Sequence, residues 1–202
     1  MVTNYLRVIL IIGLAFLMQG CPFANLPCEG VDENRYIISN PGLITVYPEH
    51  TTFEVGDTIW IESTISTIQI TNTGQQVDIY ENLGLNRIKY EGFLFAKFDP
   101  STNSPISVLA PELFIVNGFA EVFINTDDSQ FHQLEYEYSN NEYNLNIGYI
   151  LGESGNFSLY DPDLDRMRVV ASIGNGCGET YSIYTTLANP NNGYAFEFEV
   201  SD

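Results

Sequence analysis

Residues 131–151 read FHQLEYEYSNNEYNLNIGYIL, and alternation this strict favours one backbone. Successive side chains of a β-strand point to opposite faces, so Leu134, Tyr136 and Tyr138 share one face while Glu135 and Glu137 take the other. In the second half Tyr143, Leu145, Ile147, Tyr149 and Leu151 alternate with Asn144, Asn146 and Gly148. Ser139-Asn140-Asn141 is predicted to reverse the chain between them, because Asn tolerates left-handed backbone. The last run, YAFEFEV, puts Tyr194, Phe196, Phe198 and Val200 inward and Glu197 and Glu199 outward. The same period predicts strands over 43–47, 57–62, 92–98, 119–125, 167–173 and 180–187, separated by Gly, Pro, Asn and Asp clusters. FLFAKF and FAEVFI are apolar on both faces, as central strands between two layers would be. No window sustains a helical period, and 77–90 is the one helix candidate. The expectation is an all-β chain folded as an antiparallel β-sandwich of about eight to ten strands. One domain over 36–202 fits the length, with two small sandwiches split near 127–130 as the alternative.

The chain opens MVTNYLRVILIIGLAFLMQGC. Arg7 and the α-amino group supply a short positive region, and 8–18 is apolar apart from Gly13. Such a run is too short to cross ~30 Å of hydrocarbon, which takes about twenty residues. With a small residue at its end it has the pattern of a secretory signal peptide. Leu17-Met18-Gln19-Gly20-Cys21 resembles the lipobox of bacterial lipoproteins in its relaxed, Bacteroidota-like form, with Met18 where the family favours Leu. The resemblance implies that residues 1–20 are cleaved, that Cys21 carries the lipid, and that 21–35 tethers the domain to a membrane. Several acyl chains anchor firmly, at ~0.8 kcal/mol per buried methylene. Pro22 stands where Asp signals inner-membrane retention in some lipoproteins, so the outer membrane, facing the periplasm, is expected. Display at the cell surface stays open, as does an ordinary secreted protein or a short uncleaved anchor.

If Cys21 carries lipid, Cys28 and Cys177 are the pair left for a disulfide in an oxidising compartment. That bridge would close a loop of roughly 150 residues and contribute up to ~5 kcal/mol in the chain-entropy model. Two free thiols are the alternative, and geometry decides between them.

Charge narrows the partners. Removing residues 1–20 takes Arg7 and no acid from a chain of net charge −19, leaving −20. Nucleic acid and anionic headgroups are disfavoured, since phosphate binding rests on Lys and Arg. A basic protein partner would be steered by this field, and a neutral glycan would feel little of it. Disorder is not indicated, because aromatic residues are plentiful and no long block of like charge occurs.

VYPEHTTFEVGDTIWIES, residues 46–63, resembles the opening of many bacterial immunoglobulin-like domains. A Pro-containing edge strand is followed by a turn at Gly56-Asp57 and a strong β-run. The resemblance implies a sandwich and no particular activity.

Familiar catalytic equipment is not legible. His50 and His132 have no ligand spacing for zinc and read as packed or surface side chains. Asp161, Asp163 and Asp165 alternate in DPDLDR, but the sixth and twelfth positions of a calcium loop are Arg166 and Ser172. A solvated turn is the simpler reading there, calcium held by the three carboxylates with help from elsewhere is the weaker alternative, and no cofactor is expected. GNGCG, residues 174–178, precedes a strand and not a helix, so it reads as a turn giving Cys177 room, not a phosphate cradle. Among 26 acids some carboxylate pair will fall at glycosidase distances by chance, which gives a hydrolase reading no weight. Trp60 is different. If Ile59 and Ile61 face the core, Trp60 stands outward beside Thr58 and Glu62, as a binding surface would place it. Packing beneath a loop or between sheets is the competing account. The functional expectation is a membrane-anchored, non-enzymatic binding or structural lipoprotein of the cell envelope that meets a protein partner. Glycan capture by exposed Trp and Tyr is the alternative from another class, and an envelope hydrolase comes third.

Overall fold

Nearly every described element is a strand, and the first reason is turn chemistry. The computed structural model describes residues 34–91, 94–98, 101–102, 105–106, 112–124, 130–160, 167–172 and 178–202. The first strands are β1 (Arg35–Ser39), β2 (Ile44–Tyr47), β3 (Thr52–Glu54), β4 (Thr58–Ser66), β5 (Ile68–Ile70) and β6 (Gln76–Asp78). One short helix, α1 (Ile79–Leu83), follows, and then β7 (Arg87–Glu91), β8 (Leu94–Phe98), β9 (Pro105–Ile106), β10 (Leu113–Asn117) and β11 (Phe119–Ile124). The remainder are β12 (Gln130–Ser139), β13 (Glu142–Ile150), β14 (Gly155–Tyr160), β15 (Met167–Ser172), β16 (Thr180–Thr185) and β17 (Phe196–Ser201).

The large curled sheet runs β1-β16-β15-β7-β12-β13-β4-β2, with β10 added to β13 and β11 to β12. A second sheet, β3-β17-β14-β8-β9, gives the molecule its sandwich-like all-β architecture, and β5 and β6 form a small separate ribbon. The expected antiparallel order needs one amendment, since β1 pairs with β16 and β3 with β17 in parallel. Parallel partners must come from distant parts of the chain, which local alternation does not reveal.

One core cluster draws on both sheets. Ile59, Ile61, Leu145 and Ile147 from the large sheet belong to it with Phe157, Leu159, Phe196 and Phe198 from the small one. Phe95 of β8 stacks on Tyr149 of β13 with centroids 5.4 Å apart, bridging the layers. Every inward residue expected on β13, and Leu151 after it, is buried. Tyr194 departs from its expected inward face. It is 60% exposed, because the chain turns over 192–195 and the last strand begins only at Phe196.

The helix candidate also shrinks. Asp78 caps α1 by accepting from the backbone N–H groups of Tyr80 and Glu81 at 3.0 and 3.1 Å. Gly84 ends it at once in a left-handed conformation, φ 64°, and the chain returns to strand at Arg87. FAEVFI is not a central strand. As β11 it pairs with β12, and no strand flanks its other side among the described residues.

β12 and β13 form the expected hairpin, with Asn140 and Asn141 at φ 52° and 65°. Positive φ at both central residues matches the right-handed strand twist. The hairpin then forks. Direct pairing stops at Glu137↔Asn144, and β10 and β11 fill the widening gap, one along each arm. Gly118 sits at the apex, where a Cβ would lie 2.7 Å from the Glu135 carbonyl oxygen and 2.9 Å from Leu145 Cδ1. Only glycine fits so close to another backbone.

Three buried phenols on these strands, those of Tyr136, Tyr143 and Tyr149, make stability sensitive to alkali. Burial raises the pKa of each above the ordinary 10.0, although the hydrogen bond from Tyr136 to Ser63 partly offsets its shift. The unfolded chain therefore ionises first. Their contribution is fully present below pH ~10 and is lost above it, at about 1.4 kcal/mol per pH unit for each phenol. Chemical unfolding measured between pH 8 and 11.5 is expected to show this fall, with a shallower slope in Tyr136→Phe. An unchanged slope in that variant would show that Tyr136 does not contribute.

Candidate functional site

The outer face of β2, β4, β13 and β10 carries the most distinctive constellation among the described residues. Cross-strand register generates it. Tyr47 lies opposite Trp60, Trp60 opposite Gly148, and Gly148 opposite Phe114, so one row crosses four strands. Residues directly opposite share a face, and Ile59 and Ile61 are buried on the other side, so the row points away from the core.

Three aromatic rings occupy that row. The Trp60 centroid lies 6.2 Å from that of Tyr47 with planes 7° apart, and 6.5 Å from that of Phe114 with planes 16° apart. Trp60 and Phe114 stem from strands that are not neighbours, and Gly148 explains how their rings approach. A Cβ there would meet Trp60 Cε3 at 3.0 Å and Cδ2 at 3.1 Å, so the indole leans over the glycine. A bare backbone position in a strand covered by an aromatic ring is a recognised way to restore its packing. Trp60 and Tyr47 are half-buried, while Phe114 is 53% exposed.

A polar row runs beside the rings. Thr45, Glu62, Asn146 and Asn117 are aligned by the same register, two residues along each strand, with a bulge in β10 between Ile115 and Asn117. The Tyr47 hydroxyl donates to Asn146 Oδ1 at 3.3 Å, tying the two rows together. One step further, Thr64 donates to Asn144 Oδ1 at 2.9 Å. An open groove of about 500 Å³ lies beyond, lined by Thr64, Ser66, Ile68, Ile70 and Glu142 among others. Glu62 is the charged member of these rows, and neither Lys nor Arg occurs in β2, β4, β10 or β13.

Trp60 therefore lies on the face that alternation assigns to it, beside Thr58 and Glu62 and partly covered by its ring neighbours. Tyr47 and Phe114 escape a reading by alternation. Sequence offers one usable signal, a glycine at the outward position 148 of an otherwise regular strand. His50 is exposed at the surface, its ring tilted against that of Phe53 with centroids 4.5 Å apart. His132 lies in β12, but its side chain is outside the described set. Cys21, Cys28, Cys177, Asp161, Asp163 and Asp165 also lie outside the described residues. Among the described residues no three His, Cys, Asp or Glu side chains gather as a metal site would require. No described helix is long and apolar enough to cross a membrane.

A second groove, about 460 Å³, opens on the small sheet, where Glu197 and Glu199 stand two residues apart near Asn156, Thr52 and Phe98. Both carboxylates come from one strand face. The groove's other polar lining residues, Thr51, Thr52, Asn156 and Asn192, are not titratable.

No family model matches the chain, and neither does any curated protein. Among solved structures it is similar to a family 123 glycoside hydrolase from Clostridium perfringens, described in a study of glycolipid glycan hydrolysis. Sequence identity is 10% and the TM-score 0.25, and the match covers 76% of this chain but 23% of the other.

Proposed function

We propose that this chain is a lipid-anchored, non-enzymatic binding module of the bacterial cell envelope, and that it binds through the outer face of β2, β4, β13 and β10. The observation that carries the binding role is the ring row Tyr47–Trp60–Phe114 on an open sheet face. Rigid amphipathic rings bury much area at small entropic cost, which is why binding surfaces use them. Nothing in this reading requires catalysis. The anchor is the lipobox-like LMQGC, with lipid on Cys21 and the domain held at the outer membrane facing the periplasm.

Two measurements test it. Mass spectrometry of protein from a bacterial membrane fraction is expected to find Cys21 as the mature N-terminus, carrying acyl chains. A peptide that begins before Cys21, or an unmodified Cys21, rejects the anchor. Retention of envelope components by the purified protein is expected to fall in Trp60→Ala, and retention identical to wild type rejects the face.

A further inference from the structure

Resting on that assignment of the face, we infer that its ligand is a neutral polysaccharide, stacked on the ring row and hydrogen-bonded by the polar row beside it. Pyranose rings present flat C–H faces that pack on aromatic planes, and their equatorial hydroxyls project sideways. Both halves of that chemistry are aligned here. Three ring planes lie within 7° and 16° of their neighbours, at centroid steps of 6.2 and 6.5 Å, an offset stack in which Phe114, 53% exposed, presents the most open ring. Alongside, Asn146 and Asn117 each offer a donor and an acceptor, Thr45 a hydroxyl and Glu62 a strong acceptor. The aromatic rings form a single row, with Thr58 and Glu62 flanking Trp60 along β4, although exposed Ile115 and Val116 follow Phe114 along β10. That shape suits a polymer laid across the strands better than a broad protein interface with a wide desolvated centre.

Charge selects among polymers. A chain at −19, with no Lys or Arg on the four strands, repels acidic polysaccharides and nucleic acid. A neutral glycan meets no such barrier, and its retention owes little to ionic strength.

Trp60 is the chain's single tryptophan, so its fluorescence reports directly on occupancy of the row. Full-length protein is to be offered insoluble cellulose, starch and β-1,3-glucan, with alginate as the anionic counterpart, each at low and high salt. Retention on at least one neutral polymer is expected, unchanged by salt, with soluble oligosaccharides of that polymer shifting the Trp60 emission. Trp60→Ala is expected to weaken binding at least tenfold, and Phe114→Ala, at the exposed end, severalfold. Circular dichroism and melting of both variants separate lost binding from lost folding. Failure on all three neutral polymers overturns the inference, as does retention that salt abolishes or that both variants keep. If the glycan arms fail while a basic envelope protein is captured in a salt-sensitive, Trp60-dependent way, the ligand is protein and the face stands. If neither is retained, the face itself is not the binding surface.

Discussion

Gly118→Ala is expected to destabilise the domain by about 3 kcal/mol or more, far beyond an ordinary glycine replacement. Two independent effects add. The backbone there is at φ 96°, where a side chain costs about 1 to 3 kcal/mol of strain. The new Cβ would also meet the Glu135 carbonyl oxygen at 2.7 Å and Leu145 Cδ1 at 2.9 Å. A carbonyl within a paired strand cannot swing aside without loosening the ladder between β11 and β12. Gly84 provides the control, with a similar left-handed backbone at φ 64° and nothing within 4 Å of an added methyl. Its Ala variant should lose about 1 kcal/mol. Urea unfolding of both variants measures the difference, and equal losses would mean that the fork tolerates a side chain.

Tyr136→Ala is expected to cost about 4 kcal/mol. Tyr136 is fully buried in β12, its ring 6.3 Å from that of Tyr90 in an edge-on arrangement. Its hydroxyl donates to Ser63 Oγ of β4 at 2.9 Å, and Ser63 is itself buried. Removing the ring leaves a cavity worth about 3 to 5 kcal/mol in comparable aromatic truncations. It also strips a buried hydroxyl of its donor, a loss of about 1 to 3 kcal/mol when no water replaces it. Thermal melting should fall by roughly 10 °C, at about 2 to 4 °C per kcal/mol for a domain of this size. A drop of only a few degrees would place Tyr136 outside the main core.

How much of this is legible depends on distance along the chain. Alternation over 131–151 determines the facing of β13, and the Asn140-Asn141 turn follows from two residues that accept positive φ. Trp60 is assigned its face by Ile59 and Ile61 alone. The ring row is not legible, because Tyr47, Gly148 and Phe114 reach Trp60 through register between strands separated by many residues. LFIVN of β10 carries no alternation to read, with Phe114, Ile115 and Val116 exposed in succession. The stretch 77–90 misleads for a local reason. Its helical start is real, and Gly84 stops it after five residues, before Leu85 and Ile88 can extend an apolar stripe.

The forked hairpin also sets how different parts of the proposed binding face breathe. β4 and β13 are zipped together from Glu142↔Ser66 to Ile150↔Thr58, so their amides open only with much of the domain. β10 is held on one edge by β13, over a short and bulged ladder, with exposed side chains on both faces. Amide hydrogens of β10 should therefore exchange with solvent well before those around Trp60. Phe114 sits on that looser strand, while Tyr47 and Trp60 sit on the firm ones. A ligand that spans all three rings must quiet β10 as it binds, which tempers its affinity and quickens its release. Slower exchange across 113–117 would then be the most local sign that the row is occupied.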